Sequence, residues 1–567
     1  MRATLLLLAI ALSTPAFAAE PAAGNADCLQ CHEASKPGEP DGAGRAGVLV
    51  AAFARSVHRD LACTDCHAGY TAPGPHELPA LASAAEAKLV GRLGEARTLD
   101  GKPAVGAPRA YLACDGCHAG VLEDVEGSAH GRWLAKDGAV AGATCQSCHG
   151  SLHEVPPDPA PADKAAVRAY RMALSQRCEA CHGDPKFARA AGLEPEVAVN
   201  WKDSIHGRLV ALGSQRAPLC VDCHAGLVAK SGHRSIAGGK VPESAVAAAD
   251  PIRPDDARVK TCGQCHPASN PGFAGLIAHR PLQDTGKIPH LVHVAFSWLT
   301  TLTLLFFAFH VLVDFIFELR RRVQKRKQAH AEDPEAHQVV QRFDIHQRIQ
   351  HWLMLTGVIL LGLTGWPLRG AGAGAVYMAE RVASSSKFMA LLGGPHGAGI
   401  VHRVAAVMIM LSGAYHLVYL ATLAKKKILP FSMLPLPQDA IQIRDNILFM
   451  LGLRKERPRF DRFNYLEKFD YWAVFWGIVM MVGSGFIFWF PAEISRVLPT
   501  WLVSSALIVH GEEATLAILF LFVVHFYNVH LKPSIFPMNW AWLTGQTTVE
   551  FMKDEHPAEY ERVYGKK

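Results

Sequence analysis

Long apolar runs are concentrated in the second half of the chain. Five segments there are long and apolar enough to cross a bilayer, which takes about 20 residues: 291–318, 349–368, 399–421, 471–491 and 504–527. Residues 19–290 contain no such run and are rich in Ala, Gly, Pro and His. The pattern predicts an all-α protein, with a loop-rich domain of little regular structure (19–290) before a five-helix transmembrane bundle (291–545).

The first residues are typical of a secretory signal peptide, predicted at 1–18. Arg2 gives the charged start, Leu5 to Leu12 the apolar stretch, and Ala16-Phe17-Ala18 the small-residue cleavage site. A short buried helix is the alternative. Export of the mature chain places 19–290 in the periplasm.

The charges between the apolar segments predict the orientation of the bundle. The loop after the first segment carries six basic residues between Arg320 and Lys327, and 425–468 carries ten, whereas 369–398 and 492–503 carry three and one. Basic loops stay in the cytoplasm. Five crossings of a bacterial inner membrane then leave the tail, 546–567, in the cytoplasm. A re-entrant helix is the alternative for 349–368, and the small net charge of +6 argues against a nucleic-acid partner.

The 14 cysteines all fall into seven C-x-x-C-H motifs. Two cysteines on one helical turn can form thioethers to both vinyl groups of one haem, and the adjacent histidine reaches the iron. A zinc ribbon needs no histidine after each pair, and a redox dithiol needs only one pair. The motifs predict seven covalent c-type haems, held by Cys28/Cys31/His32, Cys63/Cys66/His67, Cys114/Cys117/His118, Cys145/Cys148/His149, Cys178/Cys181/His182, Cys220/Cys223/His224 and Cys262/Cys265/His266.

Each iron has a second axial position, for which histidine is the main candidate. Met172 is the single methionine between 19 and 290, so methionine can serve at most one haem. Seven further histidines alternate with the motifs: His58, His76, His130, His153, His206, His233 and His279. The alternation predicts two histidines per c haem and leaves open which histidine serves which haem. His290 and His293 are also close to the seventh motif.

An internal repeat organises these residues. The order motif, Ser-x-His, motif, His occurs three times, with Ser56, Ser128 and Ser204 as the serines, and half a unit ends the domain. Three haem pairs followed by one haem next to the membrane would form a linear path for electron transfer.

Histidines also recur inside the predicted membrane helices, where ionisable residues are usually functional. His402 and His416 lie on the third helix, and His510 and His525 on the fifth, each pair on nearly one face and about 21 Å apart. Two levels of histidines predict two b-type haems. His351 competes with His416 at the inner level, and His310 and His530 are weaker candidates.

The membrane part resembles the dihaem cytochrome b subunits of formate dehydrogenase and nickel hydrogenase. Arg348-Ile349-Gln350-His351-Trp352, Leu363-Thr364-Gly365 and His402-Arg403 carry the resemblance, over about 340–540. It implies His402 with His510 at the outer haem and His351 with His525 at the inner one, whereas His416 departs from the pattern. The fusion to a multihaem domain is similar to CbcL-type inner-membrane cytochromes, which exchange electrons between the quinone pool and periplasmic cytochromes.

The expected function is electron transfer between quinol and periplasmic c-type cytochromes through two b haems and seven c haems. Glu512 and Glu513, next to His510, are candidate proton acceptors for quinol oxidation. Their alternative is an ordinary acidic pair at a helix N-terminus. The alternative functions are a membrane subunit of a larger respiratory complex and a terminal reductase of a small oxyanion.

Overall fold

The computed structural model is mostly helical, as predicted. It describes residues 25–34, 48–67, 114, 116–118, 145–151, 153–155, 162–190, 195–226, 255–276, 279, 281–327, 338–370, 387–426 and 431–565. The chain divides into two compact units. The first comprises 1–198 and 218–264, and the second comprises 199–217 and 265–567. We call them the c unit and the membrane unit.

The c unit consists of short helices, several of which carry a C-x-x-C-H motif. The helices are Asn25–His32, Val50–Phe53, Cys63–Cys66, Cys145–His149, Lys164–His182, Pro185–Ala190 and Asp255–Gly263, with a π turn at Asp222–Gly226 and a helix, Val197–Asp203, at the division. Lys164–His182, at 19 residues, is longer than expected. Asp163 caps it by accepting the Ala166 N–H at 2.9 Å, and its sequence is rich in strong helix formers.

Five helices of the membrane unit are long and apolar enough to cross a membrane, which confirms the predicted number. They are Lys287–Lys327, Ile345–Gly370, Gly394–Lys425, Tyr465–Trp489 and Thr500–Phe520, the last continuing as π turns Leu521–His525 and Tyr527–Leu531. The second packs on the third, and the fifth packs on the first and fourth. Phe307, Phe520 and Val524 form a buried cluster between the first and fifth.

Short elements fill the ends of this bundle. They are the helices Ile205–Ala211, Pro271–Ala274, Pro437–Met450, Pro491–Ile494, Ala541–Thr544, Val549–Glu555 and Pro557–Tyr564, and 3-10 turns at Leu282–Thr285 and Phe431–Met433. Two antiparallel strands, Val339–Gln341 and Gln546–Thr548, pair in the register Val340 to Thr547.

The C-terminal tail is folded against the loops at one end of the bundle. Glu559 pairs with Arg342, which precedes the second spanning helix, and with Arg462, which precedes the fourth, at 2.9 Å to Arg462. These contacts put the two basic loops and the tail at the same end, as an odd number of crossings requires. We call it the tail end, and the opposite end, with the loop 491–496, the loop end.

Candidate functional site

Three of the described C-x-x-C-H motifs lie entirely within α-helices, a conformation that suits thioether attachment to one haem. The first motif ends the helix Asn25–His32, the fourth forms Cys145–His149, and the fifth ends Lys164–His182. One turn brings both cysteines and the histidine to the same side of the helix. Some of the predicted features lie outside the described residues: the signal peptide, His76, His130, His233 and the side chain of Cys31.

The sixth motif has a different local shape from these three. Cys220 lies on an α-helical turn, but Cys223 and His224 lie on the π turn Asp222–Gly226. Asp222 Oδ2 accepts the Leu219 N–H at 2.7 Å, which fixes the start of the turn. A π turn is wider than an α turn, and such turns are frequent at functional sites.

The seventh motif is only partly helical, because its helix ends inside the motif. Cys262 lies on the helix Asp255–Gly263, whereas Cys265 and His266 follow its end, and Cys265 is exposed. A glycine weakens the helix at its last residue, and Pro267 disfavours the helical conformation at His266. The division between the two units also falls within this motif: Cys262 belongs to the c unit, and Cys265 and His266 to the membrane unit.

The first cysteines of the two motifs in each repeat interact in pairs. Cys28 lies close enough to interact with Cys63, Cys114 with Cys145, and Cys178 with Cys220. The second cysteines bridge successive repeats, because Cys66 interacts with Cys114 and Cys117, and Cys148 with Cys181. The first six motifs therefore follow one another in space in their sequence order.

Among the described residues, three close pairs join a motif histidine to one of the alternating histidines. The ring centroids are 6.4 Å apart for His58 and His118, 6.2 Å for His67 and His153, and 6.4 Å for His206 and His266. Burial lowers the pKa of His206 to about 4, with nearby His266 adding to the shift. The imidazole is then neutral at neutral pH, the form that binds a metal.

His206 and His266 both belong to the membrane unit and are fixed at its loop end. Leu212, just after the His206 helix, is buried with Met389 and with Ala398, one turn before His402. On the other side, Asn270 Nδ2 donates to the Ala492 carbonyl at 2.6 Å and lies 3.1 Å from Ser495 Oγ. The histidine of the seventh motif is thus held beside the loop between the fourth and fifth spanning helices.

His402 and His510 face each other near the loop end, and each is held by a hydroxyl of a neighbouring helix. Thr364 Oγ1 lies 2.8 Å from His402 Nδ1 and donates its hydrogen to the Leu360 carbonyl. Ser484 Oγ lies 3.0 Å from His510 Nδ1 and donates to the Met480 carbonyl. Each hydroxyl has one hydrogen, so it accepts from Nδ1–H of its histidine.

This arrangement fits a haem iron between the two rings. Protonation at Nδ1 leaves the lone pair on Nε2 of both His402 and His510 for the metal, as in other sites where an outer partner fixes the ligand tautomer. The two rings are close enough to interact electrostatically. Gly365 and Gly485 follow the two hydroxyl residues, and a Cβ there would lie 3.3 Å and 3.2 Å from the histidine Cε1 atoms.

His416 differs from these histidines because both of its ring nitrogens are engaged by protein groups. Nδ1 lies 2.8 Å from Gln350 Oε1, and Nε2 lies 2.8 Å from the Tyr471 hydroxyl. Tyr471 therefore occupies the position that an iron would need at Nε2.

His351 and His525 form the better pair at the inner level. They interact electrostatically, and His351 Nδ1 is buried without a hydrogen-bond partner. His525 Nδ1 lies 3.1 Å from Asp470 Oδ2, which leaves Nε2 for a metal. His310, a weaker candidate, is buried and lies 2.7 Å from the Tyr465 hydroxyl through Nε2. His530 packs on Phe526, with ring centroids 4.5 Å apart.

Glu512 and Glu513 lie inside the fifth spanning helix. The helix begins at Thr500, so Glu513 is about 20 Å along it at 1.5 Å per residue. The interpretation as an acidic pair at a helix N-terminus is therefore wrong. Glu513 is buried beside Trp476, and its Oε2 has no hydrogen-bond partner. Glu512 Oε1 lies 3.8 Å from His293 Nδ1.

Several supporting residues were not identified from the sequence. Ser484-Gly485 repeats the Thr364-Gly365 arrangement on the fourth helix, and the paired hydroxyl-glycine sequence is the signal that could have revealed it. Asp470 lies one residue before the apolar segment 471–491, and a carboxylate at the end of such a segment carries no signal by itself.

Residues 342–536 match the family model of prokaryotic cytochrome b561. The match covers the second to fifth spanning helices and contains His351, His402, His510 and His525. It confirms the cytochrome b character predicted for this region: the membrane half of the chain is a multi-pass membrane b-type cytochrome of electron transfer. No curated protein gives a significant match to the chain.

Proposed function

We propose that the chain is an inner-membrane protein that transfers electrons from quinol to periplasmic c-type cytochromes or another redox partner. Two b-type haems in the bundle and seven c-type haems on the N-terminal motifs carry the electrons. The bound haems supply the one-electron chemistry, and the protein sets their ligands, spacing and access to solvent. The cytochrome b561 match to 342–536 is the starting point.

The observation that carries the proposal is the position of His206 and His266 in the membrane unit. Both are fixed at the loop end of the bundle, through Leu212 and Asn270. His402 and His510 lie towards the same end. A c haem on the seventh motif would therefore lie next to the outer b haem, where it can exchange electrons with it.

The row of interacting cysteines supports onward transfer through the c unit. Interactions alternate within and between repeats from Cys28 to Cys220, so consecutive haems would be neighbours. Electron transfer over such a row needs no further catalytic group.

Glu513 supports quinol oxidation inside the membrane. Oxidation of a quinol releases two protons with its two electrons, so a proton acceptor is needed close to the outer b haem. Glu513 is three residues from His510, and a carboxylate oxygen without a partner is free to accept a proton. Glu512 and His293 would extend the path from Glu513.

The experiment compares quinol-driven haem reduction in His402→Ala with that in the wild type, by stopped-flow absorbance on purified full-length protein. We expect His402→Ala to lose one of two acid–acetone-extractable haems, to keep seven covalent haems, and to reduce them with a quinol analogue at least about tenfold more slowly. Dithionite should still reduce all of them. His396→Ala, an exposed histidine on the same helix, is the matched control and should behave as the wild type.

Unchanged c-haem reduction by quinol in His402→Ala would overturn the proposed path. Failure of quinol to reduce any haem of the wild type, with normal reduction by dithionite, would instead support a membrane subunit whose electrons come from another chain. A wild type with no covalent haem would overturn the c-type assignment.

A further inference from the structure

The three histidine pairs follow a rule that crosses the sequence repeats. His58 is the Ser-x-His residue of the first repeat, and His118 belongs to the first motif of the second. His206 is the Ser-x-His residue of the third repeat, and His266 belongs to the motif that follows that repeat. Both pairs have the same sequence separation, although one is in the c unit and the other in the membrane unit.

The third pair runs in the opposite direction. His153 is the last histidine of the second repeat, and its partner His67 belongs to the second motif of the first repeat. Among the described residues, His58 of the first repeat and His206 of the third therefore pair with a later motif, and His153 of the second pairs with an earlier one. In none of the three pairs is the partner the motif nearest in sequence.

The distances fit an iron between the rings. A metal–imidazole bond is about 2 Å long and a ring centroid lies roughly 1 Å behind its nitrogen, so rings on opposite faces of one iron have centroids about 6 Å apart. Aromatic contacts also occur at such distances, from about 4.5 to 7 Å. The composition of the pairs favours ligation of one iron over an ordinary aromatic contact, because each pair joins one motif histidine to one alternating histidine.

We propose that the c haems are ligated across repeats: His58 is the second axial ligand of the third haem, His153 of the second, and His206 of the seventh. This inference rests on the proposed attachment of seven haems.

The serine of the Ser-x-His sequence explains why the unit repeats. Ser56 Oγ accepts the N–H of His58 at 3.1 Å, and Ser204 Oγ accepts the N–H of Gly207 at 3.3 Å, just after His206. In both cases the hydroxyl fixes the turn that presents the histidine. The serine is thus a positioning residue for the ligand.

With this assignment, both histidine ligands of the seventh haem, His206 and His266, belong to the membrane unit. The helix Ile205–Ala211 belongs to that unit, although the residues on either side of 199–217 belong to the c unit. The segment therefore supplies the seventh haem with a ligand that His279, His290 and His293, nearer in sequence, would otherwise supply.

The test is a double-variant experiment on the full-length protein. His58→Ala is made in the wild type, in Cys114→Ala/Cys117→Ala, which lacks the third haem, and in Cys28→Ala/Cys31→Ala, which lacks the first. The mass of the polypeptide counts covalent haems, and CO binding to the reduced protein counts irons with an open axial position. His290→Ala is the control, and it should create no CO site.

We expect His58→Ala to keep seven haems and to bind one extra CO per chain. The extra CO should disappear in the background without the third haem and persist in that without the first. The reverse pattern, or CO binding that persists in both, would overturn the assignment. The same experiment with His206→Ala and Cys262→Ala/Cys265→Ala gives an independent answer should the first background fail to fold. Absence of covalent haem in the wild type would contradict the proposed function itself. The mass of the polypeptide distinguishes this outcome from a wrong ligand assignment, in which all seven haems are present.

Discussion

At the scale of single residues, the proposed outer b site depends on two hydroxyl groups whose hydrogens already form hydrogen bonds to backbone carbonyls. Thr364 and Ser484 each donate to a carbonyl of their own helix, so each can only accept from the histidine it touches. This fixes the tautomer that leaves Nε2 for the metal and raises the basicity of the ligand.

Thr364→Val should weaken the outer site while it conserves the shape of the side chain. Loss of an outer hydrogen bond to a ligand typically costs about 10-fold or more in metal affinity. We therefore expect one b haem to be lost about 10-fold more readily to apomyoglobin, and its midpoint potential to rise because the ligand is less basic. Thr515→Val, which removes a comparable bond to the Gly511 carbonyl, is the control. Equal haem retention in both variants would contradict the role of Thr364.

At the inner level, His351 and His416 can be separated by mutation. His351→Ala should lose one extractable haem, because it removes the histidine paired with His525. His416→Ala should keep both, because Gln350 and Tyr471 already engage its nitrogens. Pyridine haemochrome spectra of the extracted pigment give the count. Loss of a haem in His416→Ala with retention in His351→Ala would reverse the assignment.

At the scale of elements, the sequence predicted the five spanning helices because twenty apolar residues are a local signal. The fold of the tail could not be predicted, because its partners are distant in sequence. Gln546–Thr548 pairs with Val339–Gln341, and Glu559 with Arg342 and Arg462. A polar segment of this kind carries no periodicity that reveals such contacts.

The local shape of the motifs was predicted only in part. The C-x-x-C-H spacing is the same in all seven, yet Cys223 and His224 lie on a π turn and Cys265 lies beyond the end of its helix. Spacing fixes which residues can reach one haem, whereas flanking residues such as Gly263 and Pro267 decide how far the helix continues.

A buried ion cluster joins the tail to the bundle. Glu555 lies 2.9 Å from Arg457 and 3.5 Å from Lys532, and Lys532 lies 3.5 Å from Asp314 of the first helix. Burial opposes ionisation of Glu555, but Lys532 and Arg457 outweigh it and lower the pKa of the carboxyl. In the same way, Glu555 and Asp314 outweigh burial and raise the pKa of Lys532.

Glu555→Gln should destabilise the tail end strongly, because it leaves buried cations unpaired. Removing one partner of a buried pair costs about 3–5 kcal/mol. In the wild type, the contribution of Glu555 should be present above its unfolded pKa and be lost as the pH falls through its lowered folded pKa. Thermal unfolding in detergent at neutral and acidic pH measures both effects. Glu561→Gln, which breaks an exposed pair with Arg459, should change stability by less than about 1 kcal/mol. Equal effects of the two variants would contradict this account.

At the scale of the whole molecule, the motifs and the alternating histidines could be read directly from the sequence, but their pairing could not. The pairing depends on which repeats lie side by side, as His58 with His118 illustrates. The sequence placed the seventh haem next to the membrane because its motif is the last before the first spanning segment. The structure adds the contacts through Asn270 and the second ligand candidate, His206, from a segment about sixty residues earlier in the chain.

The path of electrons can be tested at the seventh haem. If it joins the b and c systems, Cys262→Ala/Cys265→Ala should leave quinol reduction of the b haems intact, because His402 and His510 are untouched. Quinol should then reduce the other six c haems at least about tenfold more slowly, since the haem that would pass electrons to them is lost. Dithionite should still reduce them directly. Cys28→Ala/Cys31→Ala, which removes the haem at the far end of the row, is the matched control and should leave quinol reduction of the remaining c haems at the wild-type rate. Equal rates in the two variants would show that electrons enter the c unit elsewhere, and the order of haems along the chain would then not be the order of transfer.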